Sequence, residues 1–364
     1  MRNVCFYVTD HGYGHAARDI ALIRHLVRRD DEVRVFVKAD VACEFLRSSL
    51  PSDRVEVMRR RNDFGIVNHP ERNLDIDEEG TQSALKQWVG GWDVYVKREK
   101  DFCRRQKIEL IISDVSPQPF IVAGELGIPG IAVSDFEWHW VYESLFGNTL
   151  DVRTIAEAYS AASLALVLPL AAPTQVFEQT KEVGLLSREI GRSKKQIRRK
   201  LGISEADALV YLGLGLSLDP SCLARVETSW HRRNLRLLVS WNVSLPGALK
   251  IPAADTESQD YIGACDLVVS RAGYSTVSEA ITARVPMLLF HNFIEGEWLL
   301  GEVKALGIGE EITRESFLGG DWSERLSILD RLGAAYAHLP TRLATDGSDE
   351  VASEILKVLA ASDS

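Results

Sequence analysis

Leu267-Val268-Val269-Ser270-Arg271-Ala272-Gly273-Tyr274-Ser275-Thr276-Val277-Ser278-Glu279-Ala280 is the stretch on which the fold turns. Residues 267–270 have the unbroken apolar and small character of a strand buried on both faces, which belongs to a parallel sheet covered by helices. Gly273 then turns the chain, and hydroxyl residues open a helix whose first N–H groups have no partner within it. Those donors and the positive end of the helix dipole suit a diphosphate. Arg271 adds an always-charged fork for phosphate oxygens. Glu279 lies one turn into the helix, where a carboxylate can accept from both hydroxyls of a ribose. Thr276-x-x-Glu279 is also the spacing of a capping box, so Glu279 carries two readings.

Outward from this stretch, short apolar runs alternate with amphipathic ones. Strands are expected over 4–9, 33–38, 110–113, 131–134 and 164–168, with helices over 16–29 and 120–126. Residues 171–206 break the rhythm with prolines, Gly184 and a basic run that includes Arg188, Arg192, Lys194, Arg198 and Lys200. Strands resume over 209–214, 235–240, 267–270 and 287–290, and residues 350–361 read as an amphipathic helix. The expected fold class is α/β, with two doubly wound Rossmann-like domains over 1–183 and 184–345, followed by a terminal helix in 346–364.

The 364 residues are enough for two domains, and 46% hydrophobic with 26% charged residues excludes a disordered or fibrous chain. The net charge of −10 disfavours nucleic acid as a partner. Five cysteines, Cys5, Cys43, Cys103, Cys222 and Cys265, are scattered without zinc spacing, which fits a reducing cytoplasm. The first ten residues lack a signal-peptide core, and the most apolar stretch, 161–172, is shorter than the ~20 residues of a membrane span. A cytoplasmic protein is expected.

Asp10-His11-Gly12-Tyr13-Gly14-His15-Ala16-Ala17-Arg18 sits where the first strand hands over to a helix. Gly12 and Gly14 permit positive φ and close approach of a ligand. With Ala17 the loop also matches the relaxed dinucleotide pattern GxGxxA, which alone supports an oxidoreductase reading. A histidine at His15 can act as a general base near neutral pH, and needs an orienting carboxylate. Asp114, at the carboxyl end of the strand over 110–113, is the candidate, with helix capping as the plainer role.

The segment from Arg271 through Arg284-Val285-Pro286-Met287 to Glu295 resembles the donor-binding signature of GT-B glycosyltransferases. The likenesses are to the plant-type nucleotide-sugar glucosyltransferases and the peptidoglycan lipid N-acetylglucosaminyltransferase. The Thr9–His15 loop and Ile112-Ser113-Asp114-Val115 also look like the glycosyltransferase-like domain of plant L-arabinokinase. The resemblance implies a GT-B fold, with two Rossmann-like domains facing a central cleft and the terminal helix crossing back to the first. It implies an inverting, metal-independent transferase, with a nucleotide diphosphate sugar, UDP-linked by preference, as donor substrate and no cofactor. The acceptor is a hydroxyl-bearing small molecule, glycan or lipid-linked sugar. By its own residues the basic run reads as the solvated face of a linker helix, with peripheral contact with an anionic membrane or a phosphorylated acceptor as the alternative. His15 and Asp114 take the catalytic places beside the acceptor-side glycines Gly12 and Gly14. Arg271, Gly273, Tyr274, Ser275, Thr276, Glu279 and Glu295 take the donor places, with Gly215 and Ser217 as a second phosphate loop. Glu295-Gly296 departs from the Asp/Glu-Gln pair of these families. The aromatics Trp88, Trp92, Trp138, Trp140 and Tyr142 are acceptor-stacking candidates or core residues. Rival readings are a nucleotide-sugar 2-epimerase and a non-catalytic nucleotide-sugar-binding domain.

Overall fold

Val4 to Val8, the last five residues of the first strand, are fully buried, which is what an unbroken apolar run demands of a strand covered on both faces. The computed structural model describes residues 1–69, 75–213, 235–344 and 346–361. Strands β1 (Arg2–Val8), β2 (Val33–Ala39), β3 (Val55–Arg59), β4 (Ile108–Asp114), β5 (Gly130–Ser134), β6 (Leu164–Val167) and β7 (Thr180–Glu182) form one sheet. Its order is β3-β2-β1-β4-β5-β6-β7, and every pairing is parallel. A core of Cys5, Tyr7, Phe36, Phe102, Ile111 and Val122 packs against one of its faces.

A second sheet holds β8 (Ala208–Gly213), β9 (Leu235–Val239), β10 (Leu249–Lys250), β11 (Leu267–Arg271), β12 (Met287–Phe290) and β13 (Gly309–Glu311). Its described strands run β10-β9-β8-β11-β12-β13, again all parallel. Each half therefore repeats the doubly wound order 3-2-1-4-5-6. The edge strands β3, β7, β10 and β13 lie outside the sequence expectation, and β7, Thr180-Lys181-Glu182, has no buried residue to signal it.

The chain divides into two units, one of Met1–His69, Asp75–Leu186 and the chain after Ala344, the other centred on Ser187–Ala344. The helix Ser348–Ala361 belongs to the first unit and packs on the helix Tyr13–Arg29 through Val351, Ala352, Ile355 and Leu359. Ion pairs Arg29–Asp349 and Lys181–Glu354 at 2.8 Å, and a contact of 3.3 Å between His25 Nε2 and Asp346 Oδ2, flank that face. Where the returning chain arrives, Gly347 N donates to Leu185 O at 2.8 Å, and Gly184 N donates to Glu350 Oε2 at 2.9 Å. Among the described residues no helix is long and apolar enough to cross a membrane. Cys5, Cys43, Cys103 and Cys265 are buried free thiols, and Cys222 lies outside the described residues.

At this crossing the two backbones touch: a β-carbon on Gly347 would stand 2.2 Å from the Gly184 carbonyl carbon. Gly347→Ala is therefore expected to force the return helix off its seat and cost about 3 kcal/mol, as overpacking of a tight contact does. Urea unfolding followed by circular dichroism measures it.

Candidate functional site

Both sheets reverse their winding beside their first strand, between β1 and β4 and between β8 and β11. Ligands of open α/β sheets bind outside the carboxyl ends of strands at such points. In the first unit, β1 passes through Gly12 into the helix Tyr13–Arg29. Gly12 is its N-cap, with φ of 99°, a conformation open to glycine. Gly14 already lies inside the helix, so the turn assigned to two glycines is made by Gly12 alone.

His15 follows in the first helical turn, its Nδ1 2.9 Å from Oδ1 of Asp114, the last residue of β4. Both are buried. Two further residues complete this cluster, and neither was singled out from the sequence. Arg18, one turn beyond His15, donates from Nε to Asp114 Oδ2 at 2.6 Å and from Nη2 to Asp114 Oδ1. The same Nη2 lies 2.9 Å from His15 Nδ1 and 2.7 Å from Oδ1 of Asp135, just past the end of β5. The i, i+3 spacing from His15 was the available signal for Arg18, and the β4–β5 pairing was the signal for Asp135.

Burial alone would raise the Asp114 carboxyl, but the Arg18 charge and the hydrogen bonds from Arg18 and His15 outweigh it and hold Asp114 well below the usual carboxylate range. Asp19 goes the other way: burial, then the Asp114 charge, push its carboxyl well above the usual range. His15, Asp114 and Asp135 bring three ligand atoms within 4.8 Å of one another, a metal-like grouping. The cation among these carboxylates is the Arg18 guanidinium.

The loop after β3 closes over this edge of the sheet. Asn62 Nδ2 donates to Val8 O and Lys38 O at 2.8 and 2.9 Å, tying the ends of β1 and β2. Asp63 accepts from Asp10 N at 2.8 Å, Ser116 Oγ at 2.7 Å and Trp138 Nε1 at 3.1 Å. Burial and the Asp63 charge raise Asp10 to about 6. The aromatic candidates belong to this packing. Trp88 donates to Asn62 O and Tyr142 to Gly65 O, Trp138 stacks on Tyr142, and Trp92, Trp138 and Tyr142 are buried. Trp140 is half-buried. Asp77 caps the helix Glu78–Gly90, its side chain accepting from Gly80 N.

In the second unit, Arg271 ends β11 and Gly273 is the N-cap of the helix Tyr274–Ala283. Ser275 and Thr276 thus fall in the first turn, and Tyr274 is buried. No side-chain cap forms, so the capping-box reading of Thr276 and Glu279 does not hold. Glu279 Oε1 instead accepts from Arg188 Nε at 3.1 Å and Nη2 at 2.6 Å, and Arg188 Nη2 also donates to Ser258 Oγ at 2.7 Å. Arg188 had been read only as part of the basic run.

Half-buried Arg271 donates to Asn292 Oδ1 at 3.4 Å and lies 5.8 Å from the Phe293 ring. Burial lowers its pKa, against the opposing charge of Glu295. Glu295 is buried in the first turn of the helix Ile294–Ala305. Beside it, a β-carbon on Gly296 would stand 3.2 Å from Ala272 O and from His291 Cβ, a close approach that accounts for the glycine. Gly215 and Ser217 lie outside the described residues. The basic run is engaged within this unit: Arg192 pairs with Asp255 and Asp260, Lys194 and Arg198 with Asp266, and Lys200 with Asp255.

No family model matches the chain. Among solved structures it is similar to the spinosyn forosaminyltransferase SpnP, with TM-score 0.68, 11% identity and 99% of each chain covered. It is also similar to UGT2 of Phytolacca americana, complexed with UDP-2fluoro-glucose and pterostilbene, with TM-score 0.69, 12% identity and 99% of this chain and 100% of that one covered. The fold is GT-B.

By sequence, this GT-B chain is 28% identical over 342 residues to L-arabinokinase of Arabidopsis thaliana, covering 88% of this chain and 31% of that protein. It is 30% identical over 156 residues to the UDP-N-acetylglucosamine--N-acetylmuramyl-(pentapeptide) pyrophosphoryl-undecaprenol N-acetylglucosamine transferase of Thermus thermophilus, covering 39% of this chain and 44% of that protein. The chain thus spans less than half the length of either curated relative.

Glu137, three residues past the end of β5, is buried, and its carboxyl is raised to about 8 by burial and the nearby Asp135 charge. The fold therefore favours its protonated form, and stability is lost as pH climbs from the ordinary glutamate value toward 8. Glu137→Gln, a neutral stand-in, is expected to raise the thermal midpoint at pH 8.5, by a free energy on the order of a few kcal/mol, and to change it little at pH 5. Calorimetry at the two pH values checks this.

Proposed function

We propose that the chain is a glycosyltransferase that moves a sugar from a nucleotide diphosphate sugar, UDP-linked by preference, to an acceptor hydroxyl, inverting the anomeric carbon without a metal. The observation that carries this reading is the 2.9 Å contact between His15 Nδ1 and Asp114 Oδ1 at the switch point of the first sheet. With Nδ1 held by the carboxylate, Nε2 takes the proton of the acceptor hydroxyl as its oxygen attacks the anomeric carbon. The bond from that carbon to the diphosphate oxygen breaks on the opposite face. The charge left on the diphosphate meets Arg271 and the helix N-terminus at Tyr274, Ser275 and Thr276, a positive field that a metal would otherwise supply. Glu279 receives the ribose hydroxyls and Glu295 the sugar. The Thermus thermophilus relative is named as a transferase of UDP-N-acetylglucosamine and the Phytolacca americana structure holds UDP-2fluoro-glucose, which supports a UDP-sugar donor. Buried free thiols support a cytoplasmic setting.

A second reading, a non-catalytic nucleotide-sugar-binding domain, draws support from the match that covers 31% of L-arabinokinase. A thermal-shift panel of uridine, thymidine, guanosine and adenosine diphosphate sugars, followed by product assays with the stabilising donor, separates the two. Stabilisation without turnover on any acceptor favours the second. Under the transferase reading, His15→Ala lowers turnover at least 100-fold while the calorimetric affinity for the donor stays the same. Turnover equal to the wild type removes the base assignment.

A further inference from the structure

His15 Nδ1 stands 2.9 Å from two groups that ask opposite things of it. Asp114 Oδ1 is a carboxylate and only accepts, so this contact needs a proton on Nδ1. Arg18 Nη2 only donates, so that contact needs a lone pair on Nδ1. A neutral imidazole has one or the other. The choice matters beyond the ring's own hydrogen bonds, because a proton on Nδ1 leaves Nε2 with a free lone pair, whereas a bare Nδ1 puts the proton on Nε2.

The group that decides between them is on the far side of the guanidinium. Arg18 Nη2 has two hydrogens and three acceptors within 2.9 Å: Asp114 Oδ1, Asp135 Oδ1 and His15 Nδ1. With those hydrogens directed to Asp114 and His15, Asp135 Oδ1 is buried 2.7 Å away with no hydrogen bond to it. That arrangement has two costs. A buried carboxylate oxygen goes without a donor, and the Nδ1 lone pair faces the Asp114 carboxylate across 2.9 Å. The Nη2 hydrogens are fixed in the guanidinium plane, so a tilt of that plane, carrying one of them from His15 to Asp135 Oδ1 2.7 Å away, removes both at once. It replaces a hydrogen bond to a neutral ring nitrogen with a charge-assisted one, and it lets Nδ1–H donate to Asp114.

We propose that Asp135 is a positioning residue that sets the tautomer of His15: by drawing Arg18 Nη2 to itself, it leaves Nδ1–H to donate to Asp114 and keeps Nε2 unprotonated. Arg18 is the relay, because it touches both carboxylates and the ring. The consequence for catalysis rests on the transferase reading above, but the tautomer itself does not.

The test uses the full chain labelled with nitrogen-15 histidine, with imidazole proton–nitrogen correlation spectra recorded at pH 8.5 and the His15 signals identified by their loss in His15→Gln. Wild type is expected to show His15 protonated at Nδ1 and bare at Nε2. In Asp135→Ala the proton moves to Nε2, and in Asp135→Asn, which keeps the shape and removes the charge, a population with the proton on Nε2 emerges. Turnover falls at least tenfold in Asp135→Ala with donor affinity unchanged. A wild-type ring protonated at Nε2, or a ring that stays wholly protonated at Nδ1 in whichever of these variants folds, overturns the assignment. The expected tautomers in a chain that transfers no sugar would support the assignment and overturn the transferase reading.

Discussion

The buried fork between Arg18 and Asp114 is the interaction around which the first unit is arranged. It joins the first turns of the opening helix to the end of β4 across the point where the sheet reverses direction. A charge taken out of water and left without its partner costs several kcal/mol, so neither residue can be buried there alone. His15 and Asp135 then inherit positions set by that fork. Around it, the Asn62-Asp63 loop ties the ends of β1 and β2 to Ser116 and Trp138, and the side-chain polar groups of that loop are themselves hydrogen-bonded.

The second unit solves a related problem with other residues. There the buried carboxylate is Glu279, one turn into the helix that follows β11, and the guanidinium that holds it comes from Arg188 on the incoming chain. In both units an arginine neutralises an acid beside the switch point, so neither Asp114 nor Glu279 stands there as a lone buried charge.

How far the sequence was legible follows from how each residue is buried. Central strands such as β1, β4, β8 and β11 are unbroken apolar runs, and they stand out because both faces are covered. Edge strands such as β7 and β13 are three residues each with polar character, and nothing in three residues separates a strand from a loop. His15 and Asp114 were visible because both flank strand ends in a recognisable rhythm. Arg18 was not, since a charge on a helix ordinarily faces water and its partner is 96 residues away. Glu279 was noticed for its spacing, but the helix begins after Gly273, which makes Thr276 a first-turn residue rather than the cap. For Trp92, Trp138 and Tyr142 burial decides for the core reading, and Trp88 and Trp138 anchor their N–H groups on Asn62 and Asp63.

The return of the chain to the first unit bears on the order in which the protein can be assembled. The opening helix, Tyr13–Arg29, has its apolar stripe covered in part by Val351, Ala352, Ile355 and Leu359, residues made more than 300 positions later. During synthesis from the amino end, the described part of the second unit within Ser187–Ala344 has all its own chain before the first unit does. The first unit waits, with that stripe open to solvent, until the last helix emerges and seats itself at Gly184. In this chain the half that is translated first is the half that is completed last.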